Sequence, residues 1–183
     1  MLFYYLINTI MKKKAIFFDR DGTINKNYKY VHKISNFVWL KYAVEAIKFA
    51  KKNKYLTVVV SNQSGVARNL YSKKDVDNLH YWMSQCLKKK KTKIDKFYYS
   101  TYHKNYSKNS NKSYFRKPNP GMIFMAAKEL KIDLKKSFMI GDQKSDLLAA
   151  KAAKLKFIKK KSNLLTCVKM GINYFNEKKF LEK

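Results

Sequence analysis

Two aspartates, Asp19 and Asp21, stand one residue apart directly after an apolar segment. The segment Ala15–Phe18 predicts a buried strand, so the two carboxylates mark the point where that strand ends. Carboxylates held this close repel each other unless a cation neutralises them. Their type and spacing therefore predict a bound Mg²⁺ ion and a phosphate chemistry that uses it. Taken alone, the motif also fits a plain polar loop after a strand.

Two further apolar segments end in small, polar or acidic residues. Val58–Val60 runs into Ser61 and Asn62, and Phe138–Ile140 is followed closely by Asp142. Ligands of an open parallel α/β sheet bind beyond the carboxyl ends of its strands. We therefore expect all three strand ends to converge on one crevice.

A basic pair, Arg116 and Lys117, precedes a proline turn and a helix between the second and third of these segments. In their order and spacing, the four segments resemble the four motifs of the haloacid dehalogenase superfamily of phosphatases. The sequences FFDRDGTIN, YVH, SNQSGVAR, RKPNPGM and GDQKSD are most similar to the branch that contains the heptose bisphosphate phosphatases and the histidinol-phosphate phosphatases. The resemblance covers about residues 12–160.

The resemblance implies an α/β fold, a three-layer Rossmann-like parallel sheet with helices on both faces. The stretches between Asp21 and Asn62 and between Asn62 and Lys117 are filled by loops, helices and strands, which leaves no room for a large cap domain. Larger members of the superfamily use such caps to exclude water and to select substrates. A capless enzyme must do this with loops, or act on large substrates.

Capping residues and apolar periodicity predict the remaining elements. Ser72 and Asp75 have the spacing of a capping box, which predicts the start of a helix. Leu147, Leu148 and Ala152 are expected to face the sheet from a helix after the fourth motif. Helices are further expected at about 44–53, 122–130 and 145–154, a strand at 156–158, and a helix and a strand within 167–175.

The resemblance also implies a role for the residues of the four motifs. Asp19 would be the nucleophile that forms an aspartyl-phosphate. Asp21 would protonate the leaving oxygen and then activate water. The phosphoryl oxygens would be bound by Ser61, Asn62 and Lys117.

Metal and substrate contacts are implied in the same way. Mg²⁺ would be held by Asp19, Asp142 and the backbone carbonyl of Asp21, while Asp146 would hold Lys117 in place. The implied substrate contacts are Asn27, Tyr28, Lys29, Tyr30, Gln63, Ser64, Arg116 and Gln143. Tyr28 and Tyr30 fit ordinary surface aromatics equally well. Gln143 stands where the related enzymes often carry a lysine that meets a substrate phosphate.

One metal site of the related phosphatases lacks its ligands here. Those enzymes usually carry a structural zinc bound by three cysteines and a histidine, and a zinc site needs about four ligands. The corresponding positions hold Ser100, Tyr102, Ser113 and Phe115. His103 alone cannot hold the ion, so we expect no zinc and a loop at Lys104–Lys112 that is held by packing alone.

Length and composition indicate one domain over residues 12–183. The chain has 183 residues, of which 46% are hydrophobic, enough for a core. Met1–Ile10 is too short to span a membrane, so residues 1–11 are expected to be an extension and Met11 is favoured as the start. Cys86 and Cys167 have no metal-binding spacing and indicate buried thiols in the cytoplasm. We expect a monomer that does not bind membranes.

The net charge of +29 favours a rival function, nucleic-acid binding. The positive charges are spread along the chain, however, and only three of the 41 are arginines, the residue that reads bases by bidentate contacts. We therefore interpret the charge as compositional and expect no specific nucleic-acid partner.

The sequence thus predicts a Mg²⁺-dependent phosphatase for a small phosphorylated sugar, with no zinc. The leading reaction is removal of the 7-phosphate of D-glycero-D-manno-heptose 1,7-bisphosphate through an aspartyl-phosphate, in the synthesis of surface glycans such as lipopolysaccharide. The alternatives are a histidinol-phosphate phosphatase, a polynucleotide 3′-phosphatase and a non-catalytic nucleic-acid binder.

Overall fold

Five short strands form a single parallel sheet in the computed structural model, which describes residues 12–161 and 163–181. The expected extension over residues 1–11 lies outside the described residues. The strands are β1 (Ala15–Phe18), β2 (Leu56–Asn62), β3 (Lys96–Ser100), β4 (Phe138–Gly141) and β5 (Lys156–Lys159), in the spatial order β3-β2-β1-β4-β5. The central strands β1 and β4 are buried along their whole length, as their continuous apolar sequences require.

Helices cover both faces of the sheet, which confirms the predicted three-layer fold. They are α1 (Ala43–Lys52), α2 (Lys73–Lys89), α3 (Gly121–Leu130), α4 (Lys144–Ala152) and α5 (Leu164–Leu181). Successive side chains of a strand point to opposite faces, so Ile16 and Phe18 pack with α1, α2 and α5, whereas Ala15 and Phe17 pack with α3 and α4. None of these helices is long and apolar enough to cross a lipid bilayer.

Helix α2 begins as predicted. Its first turn is capped reciprocally, because the Asp75 amide donates to Ser72 Oγ at 3.1 Å and the Ser72 amide donates to Asp75 Oδ2 at 2.7 Å. The strand predicted at 156–158 is present as β5. The strand predicted within 167–175 was wrong, since this stretch lies inside the single helix α5.

The predicted inner face of α4 was also wrong. Leu148 and Ala152 are exposed, and the face against the sheet is formed by Ala149, Ala150 and Ala153. The physical reason is Asp146, which is fully buried in the first turn of α4. Positions three, four and seven residues after it share its face, so its burial rotates the alanines inward and Leu148 outward.

Short turns stand where a cap domain would be inserted. Within the described residues, the connections from β1 to α1 and from β3 to α3 contain no helix other than the 3₁₀ turns Ile34–Asn36 and Ser110–Phe115. The expectation that packing alone holds the loop after β3 was wrong. The His103 amide donates to Ser107 Oγ at 2.9 Å, and Arg116 Nη1 donates to the Tyr102 carbonyl at 3.0 Å.

We predict that Gly171→Ala destabilises the fold. Alanine favours a helix over glycine by roughly 1 kcal/mol. A Cβ at Gly171, however, would meet the buried ring of Phe138 and come within 2.8 Å of Ile158 Cδ1. Overpacking of this kind costs about 1–3 kcal/mol and outweighs the gain in propensity. The free energy of unfolding in urea should therefore fall, by up to about 2 kcal/mol.

The matched control is Met170→Ala, because Met170 is 58% exposed on the same helix. It should leave the free energy of unfolding within about 0.5 kcal/mol of the parent value. An equal or higher stability for Gly171→Ala would contradict the packing described for α5.

Candidate active site

A crevice opens where β1 and β4 lie side by side and their connections leave in opposite directions. Asp19 extends β1, its amide donating to the Ile140 carbonyl at 3.0 Å, and Asp142 directly follows β4. In open α/β sheets this switch point is where ligands bind. The cavity here has a volume of about 220 Å³. It is lined by Asp19, Asp21, Asn27, Tyr30, Ser61, Asn62, Gln63, Ser64, Tyr71, Lys117, Gln143, Ser145 and Asp146.

A buried lysine lies between two buried carboxylates at the floor of the cavity. Lys117 Nζ is 2.5 Å from Asp19 Oδ1 and 2.6 Å from Asp146 Oδ1. Burial opposes the charge on Lys117, but Asp19 and Asp146 raise the pKa of its ammonium above the ordinary value. Burial also raises the pKa of Asp19 to about 7, while Lys117 acts in the opposite direction. The ammonium is therefore fixed as a cation beside Asp19.

Asp21 is held by a separate set of donors. Arg20 Nη2 donates to Asp21 Oδ2 at 2.9 Å and to Oδ1 at 3.2 Å. Asn25 Nδ2 donates to Oδ1 at 2.9 Å, and Gln63 Nε2 donates to Oδ2 at 3.0 Å. Both carboxylate oxygens thus have fixed partners, and the side chain has one orientation.

Arg20 is itself fully buried, against a neutral histidine. Its Nη2 donates to the Val31 carbonyl at 2.5 Å, and its Nη1 is 3.2 Å from His80 Nε2. A guanidinium has only donors, so Nε2 accepts and the proton of His80 is on Nδ1. Burial and the charge of Arg20 lower the pKa of His80 to about 3. This support of Asp21 was missed in the sequence, because Arg20 and His80 are far apart in the chain.

Gln63 is oriented by Tyr71, a second residue that the sequence reasoning missed. Tyr71 Oη donates to Gln63 Oε1 at 2.8 Å, so Gln63 Nε2 must face Asp21 and Ser61. Gln63 Nε2 donates to Ser61 Oγ at 2.8 Å, and the Ser61 hydroxyl can in turn donate into the cavity. Gly65 leaves the space that the Tyr71 ring fills.

Asn62 ties the strand β2 to the loop that carries the lysine. Its Nδ2 donates to the Lys117 carbonyl at 2.9 Å, and its Oδ1 accepts from the Lys117 amide at 3.1 Å. The amide of Asn62 is therefore engaged with the backbone, although the residue lines the cavity.

Three carboxylates could hold a divalent cation. One oxygen from each of Asp19, Asp142 and Asp146 lies within 4.8 Å of the others. Oxygen donors of this kind suit a hard cation. With Asp21, four carboxylates here face two buried cations, Lys117 and Arg20, so the site has an excess of negative charge that a divalent ion would balance. The position of Asp142 also requires a glycine at residue 22. Gly22 has a φ of +88°, and a Cβ there would lie 2.5 Å from Asp142 Oδ2.

Most of the residues predicted from sequence meet at this cavity. Four of them do not line it: Tyr28, Lys29, Arg116 and Asp142. Tyr28 and Lys29 are exposed, and Gln143 Nε2 donates to Asp142 Oδ2 at 2.7 Å. Ser145 and Tyr71 line the cavity without having been predicted, since neither belongs to a recognisable pattern of chemistry.

We predict that the buried His80 makes a contribution to stability that is lost in acid. Its pKa is 6.5 in an unfolded chain and about 3 in the fold, so the unfolded state binds the proton first. The stability contributed by the neutral imidazole is fully present above pH 6.5 and is lost as the pH drops towards 3. His80→Gln keeps an acceptor for Arg20 without the titration. Between pH 7 and pH 5 this variant should lose about 2 kcal/mol less than the parent in urea unfolding.

His32→Gln is the control, because it removes a histidine but leaves the buried imidazole in place. It should show the pH dependence of the parent protein. If the free energy of unfolding changed equally with pH in the parent and in His80→Gln, the assignment of His80 as a buried neutral histidine would be contradicted.

Comparison with known proteins places this site in a family. Residues 14–176 match the family model described as polynucleotide kinase 3 phosphatase. The D-glycero-beta-D-manno-heptose-1,7-bisphosphate 7-phosphatase of Pasteurella multocida is 43% identical over 148 residues, which cover 79% of each chain. The D-glycero-alpha-D-manno-heptose-1,7-bisphosphate 7-phosphatase of Burkholderia mallei is 40% identical over 145 residues, which cover 78% of this chain and 77% of that enzyme.

A solved structure shares the fold. The D,D-heptose 1,7-bisphosphate phosphatase of B. bronchiseptica, complexed with magnesium and phosphate, superposes with a TM-score of 0.76 at 22% identity. The match covers 88% of this chain and 99% of that one. The chain belongs to the polynucleotide kinase 3 phosphatase family of haloacid-dehalogenase-like phosphatases, and it is related to the heptose bisphosphate 7-phosphatases.

Proposed function

We propose that this protein is a Mg²⁺-dependent phosphatase that removes the 7-phosphate of D-glycero-D-manno-heptose 1,7-bisphosphate. The observation that carries the proposal is the buried pair of Asp19 and Lys117 in a crevice where Asp21 is held independently. It supports the assignment of a nucleophile, a cation and an acid–base group to one cavity. The choice of substrate is supported by relatives at 40–43% identity, which are named heptose-1,7-bisphosphate 7-phosphatases.

In the first half of the reaction, Asp19 attacks the phosphorus atom. The bond from phosphorus to the sugar oxygen breaks as the bond to the Asp19 carboxylate forms, and Asp21 donates a proton to the departing oxygen. Lys117 and the Ser61 hydroxyl stabilise the charge on the phosphoryl oxygens, since phosphoryl transfer is mainly positioning and charge stabilisation. Asn62 keeps Lys117 in place for this step.

In the second half, Asp21 takes a proton from a water molecule that attacks the same phosphorus atom. The bond to Asp19 breaks, inorganic phosphate leaves and both carboxylates return to their starting state. The donors on Asp21, from Arg20, Asn25 and Gln63, keep it in one orientation through both halves.

Asp19, Asp142 and the backbone carbonyl of Asp21 would hold the Mg²⁺ ion, with Asp146 pairing Lys117. When bound, the ion neutralises the charge of the transferring phosphoryl group and the nucleophile. We assign the remaining predicted residues to the sugar. Five of them line the cavity, namely Asn27, Tyr30, Gln63, Ser64 and Gln143, and three lie outside its lining, namely Tyr28, Lys29 and Arg116. We also propose that the protein acts in the cytoplasm as a monomer, without zinc.

A polynucleotide 3′-phosphatase is the second candidate. The family model carries that description, and the net charge of +29 would attract a phosphate backbone. The chemistry at Asp19 and Asp21 would be the same, so only the substrate distinguishes the two proposals.

The test is phosphate release with Mg²⁺ from both anomers of the heptose bisphosphate, histidinol phosphate and a 3′-phosphorylated oligonucleotide. We expect a preference for one heptose anomer, loss of activity in EDTA, and a fall of at least about a thousandfold in Asp19→Asn. Asp77→Asn makes the same change on the exposed side of α2 and should retain activity. Preferred turnover of the oligonucleotide would support the second candidate instead.

We predict that Tyr71→Phe lowers kcat more than it changes KM. The variant keeps the ring beside Gly65 but removes the hydroxyl that orients the Gln63 amide, so Asp21 loses a fixed donor. One hydrogen bond of this kind contributes about 0.5–1.5 kcal/mol, which corresponds to a fall in kcat of roughly twofold to slightly more than tenfold.

Tyr81→Phe is the matched control, because Tyr81 is 68% exposed on α2. It should keep the kcat of the parent. A Tyr71→Phe variant with unchanged kcat, or one that only loses thermal stability, would show that Tyr71 does not position the site.

A further inference from the structure

The three arginines of the chain all lie around the active site. They are Arg20, Arg68 and Arg116, and the other 38 basic residues are lysines. Arg20 is buried against Asp21, and Arg116 precedes Lys117. Arg68 has no role in the phosphoryl transfer proposed for Asp19 and Asp21, so its position beside the site points to a different role.

Arg68 is held at the rim of the cavity by aromatic side chains. Its Nη1 donates to the Tyr30 hydroxyl, and its guanidinium carbon lies 5.4 Å from the Tyr30 ring centroid and 5.7 Å from that of Tyr106. Its backbone amide donates to the Ser64 carbonyl at 3.3 Å. Tyr30 and Ser64 both line the cavity. A planar guanidinium stacks on such rings in a way that a lysine ammonium does not.

The charges beside Arg68 are of one sign. The pKa of His103 is lowered first by desolvation and then by the charges of Arg116 and Arg68. Both guanidinium groups therefore act on the same imidazole. In the described part of the chain, no carboxylate lies within 4.0 Å of a nitrogen of Arg68 or Arg116. Arginines without an acidic partner, beside an open cavity, are suited to bind an anion.

The size of the cavity indicates where that anion lies. Pockets that enclose a small-molecule ligand usually have about 300–1,000 Å³. The cavity here has about 220 Å³. With the reacting phosphate at Asp19, the rest of a sugar bisphosphate would reach the rim of the cavity, where Tyr30 lies.

We propose that Arg68, held between Tyr30 and Tyr106, binds the second phosphate of the substrate, the one that is not hydrolysed. Arg68 is then a specificity-determining residue that selects bisphosphates over monophosphates. This inference rests on the proposed function, because it takes the reacting phosphate to lie at Asp19. A guanidinium bound to a phosphate through two hydrogen bonds is a strong charge-assisted contact.

The experiment compares the heptose 1,7-bisphosphate with the heptose 7-phosphate, which lacks the second phosphate. Arg68→Gln should lower kcat/KM for the bisphosphate by about tenfold and change it less than twofold for the monophosphate. Arg68→Lys keeps the charge without the planar group and should fall between the parent and Arg68→Gln. Lys108→Gln removes an exposed cation from the loop that carries Tyr106, and it should leave both values unchanged.

Binding separates this inference from the proposed function. Calorimetric titration of the two esters into Asp19→Asn, with and without Arg68→Gln, measures the same preference without turnover. If the parent protein turns over the bisphosphate and Arg68→Gln keeps the parent's preference for it over the monophosphate, only the proposed role of Arg68 is overturned. An equal fall in kcat/KM for both esters in Arg68→Gln would likewise overturn only the role of Arg68. A parent protein that hydrolyses neither ester, with an Asp19→Asn variant that binds neither, would overturn both proposals.

Discussion

The charge of Lys117, buried between Asp19 and Asp146, is the constraint on which the rest of the site depends. A buried charge is tolerated only when it is paired and hydrogen-bonded, and removing one partner of such a pair costs about 3–5 kcal/mol. The three residues come from the end of β1, the loop before α3 and the first turn of α4. Their pairing therefore requires β1 and β4 to be neighbours. It also requires the loop to be fastened, which Asn62 does through two hydrogen bonds to the Lys117 backbone.

Two aspartates that are nearly adjacent in sequence have different surroundings in the fold. Asp19 faces Lys117 at the floor of the crevice, whereas Asp21 faces the buried guanidinium of Arg20. Different environments allow two groups of one residue type to take different chemical roles. In this chain the separation is produced by a single intervening residue, because Arg20 turns away from the cavity to pair with Asp21 and the neutral His80.

The charge of the whole chain and the charge of the site have opposite signs. Only 12 acidic residues face 41 basic ones, and four of those acids meet at this crevice. The local excess of carboxylates gives a place for a cation in a protein whose net charge is +29. Binding at the site is therefore governed by short-range pairing, while the surrounding lysines attract anionic substrates at longer range.

The sequence by itself determined the fold class, the central strands and the residues at their ends. Continuous apolar segments are buried on both faces of a sheet, and parallel strands place their carboxyl ends at one edge. The capping box at Ser72 was equally readable, because it is local. Only the tertiary structure decided the inner face of α4, the support of Asp21 by Arg20 and His80, and the orientation of Gln63 by Tyr71. These depend on buried polar groups that find partners distant in sequence, or rotate a helix to reach them, and no local pattern of residues encodes such pairings.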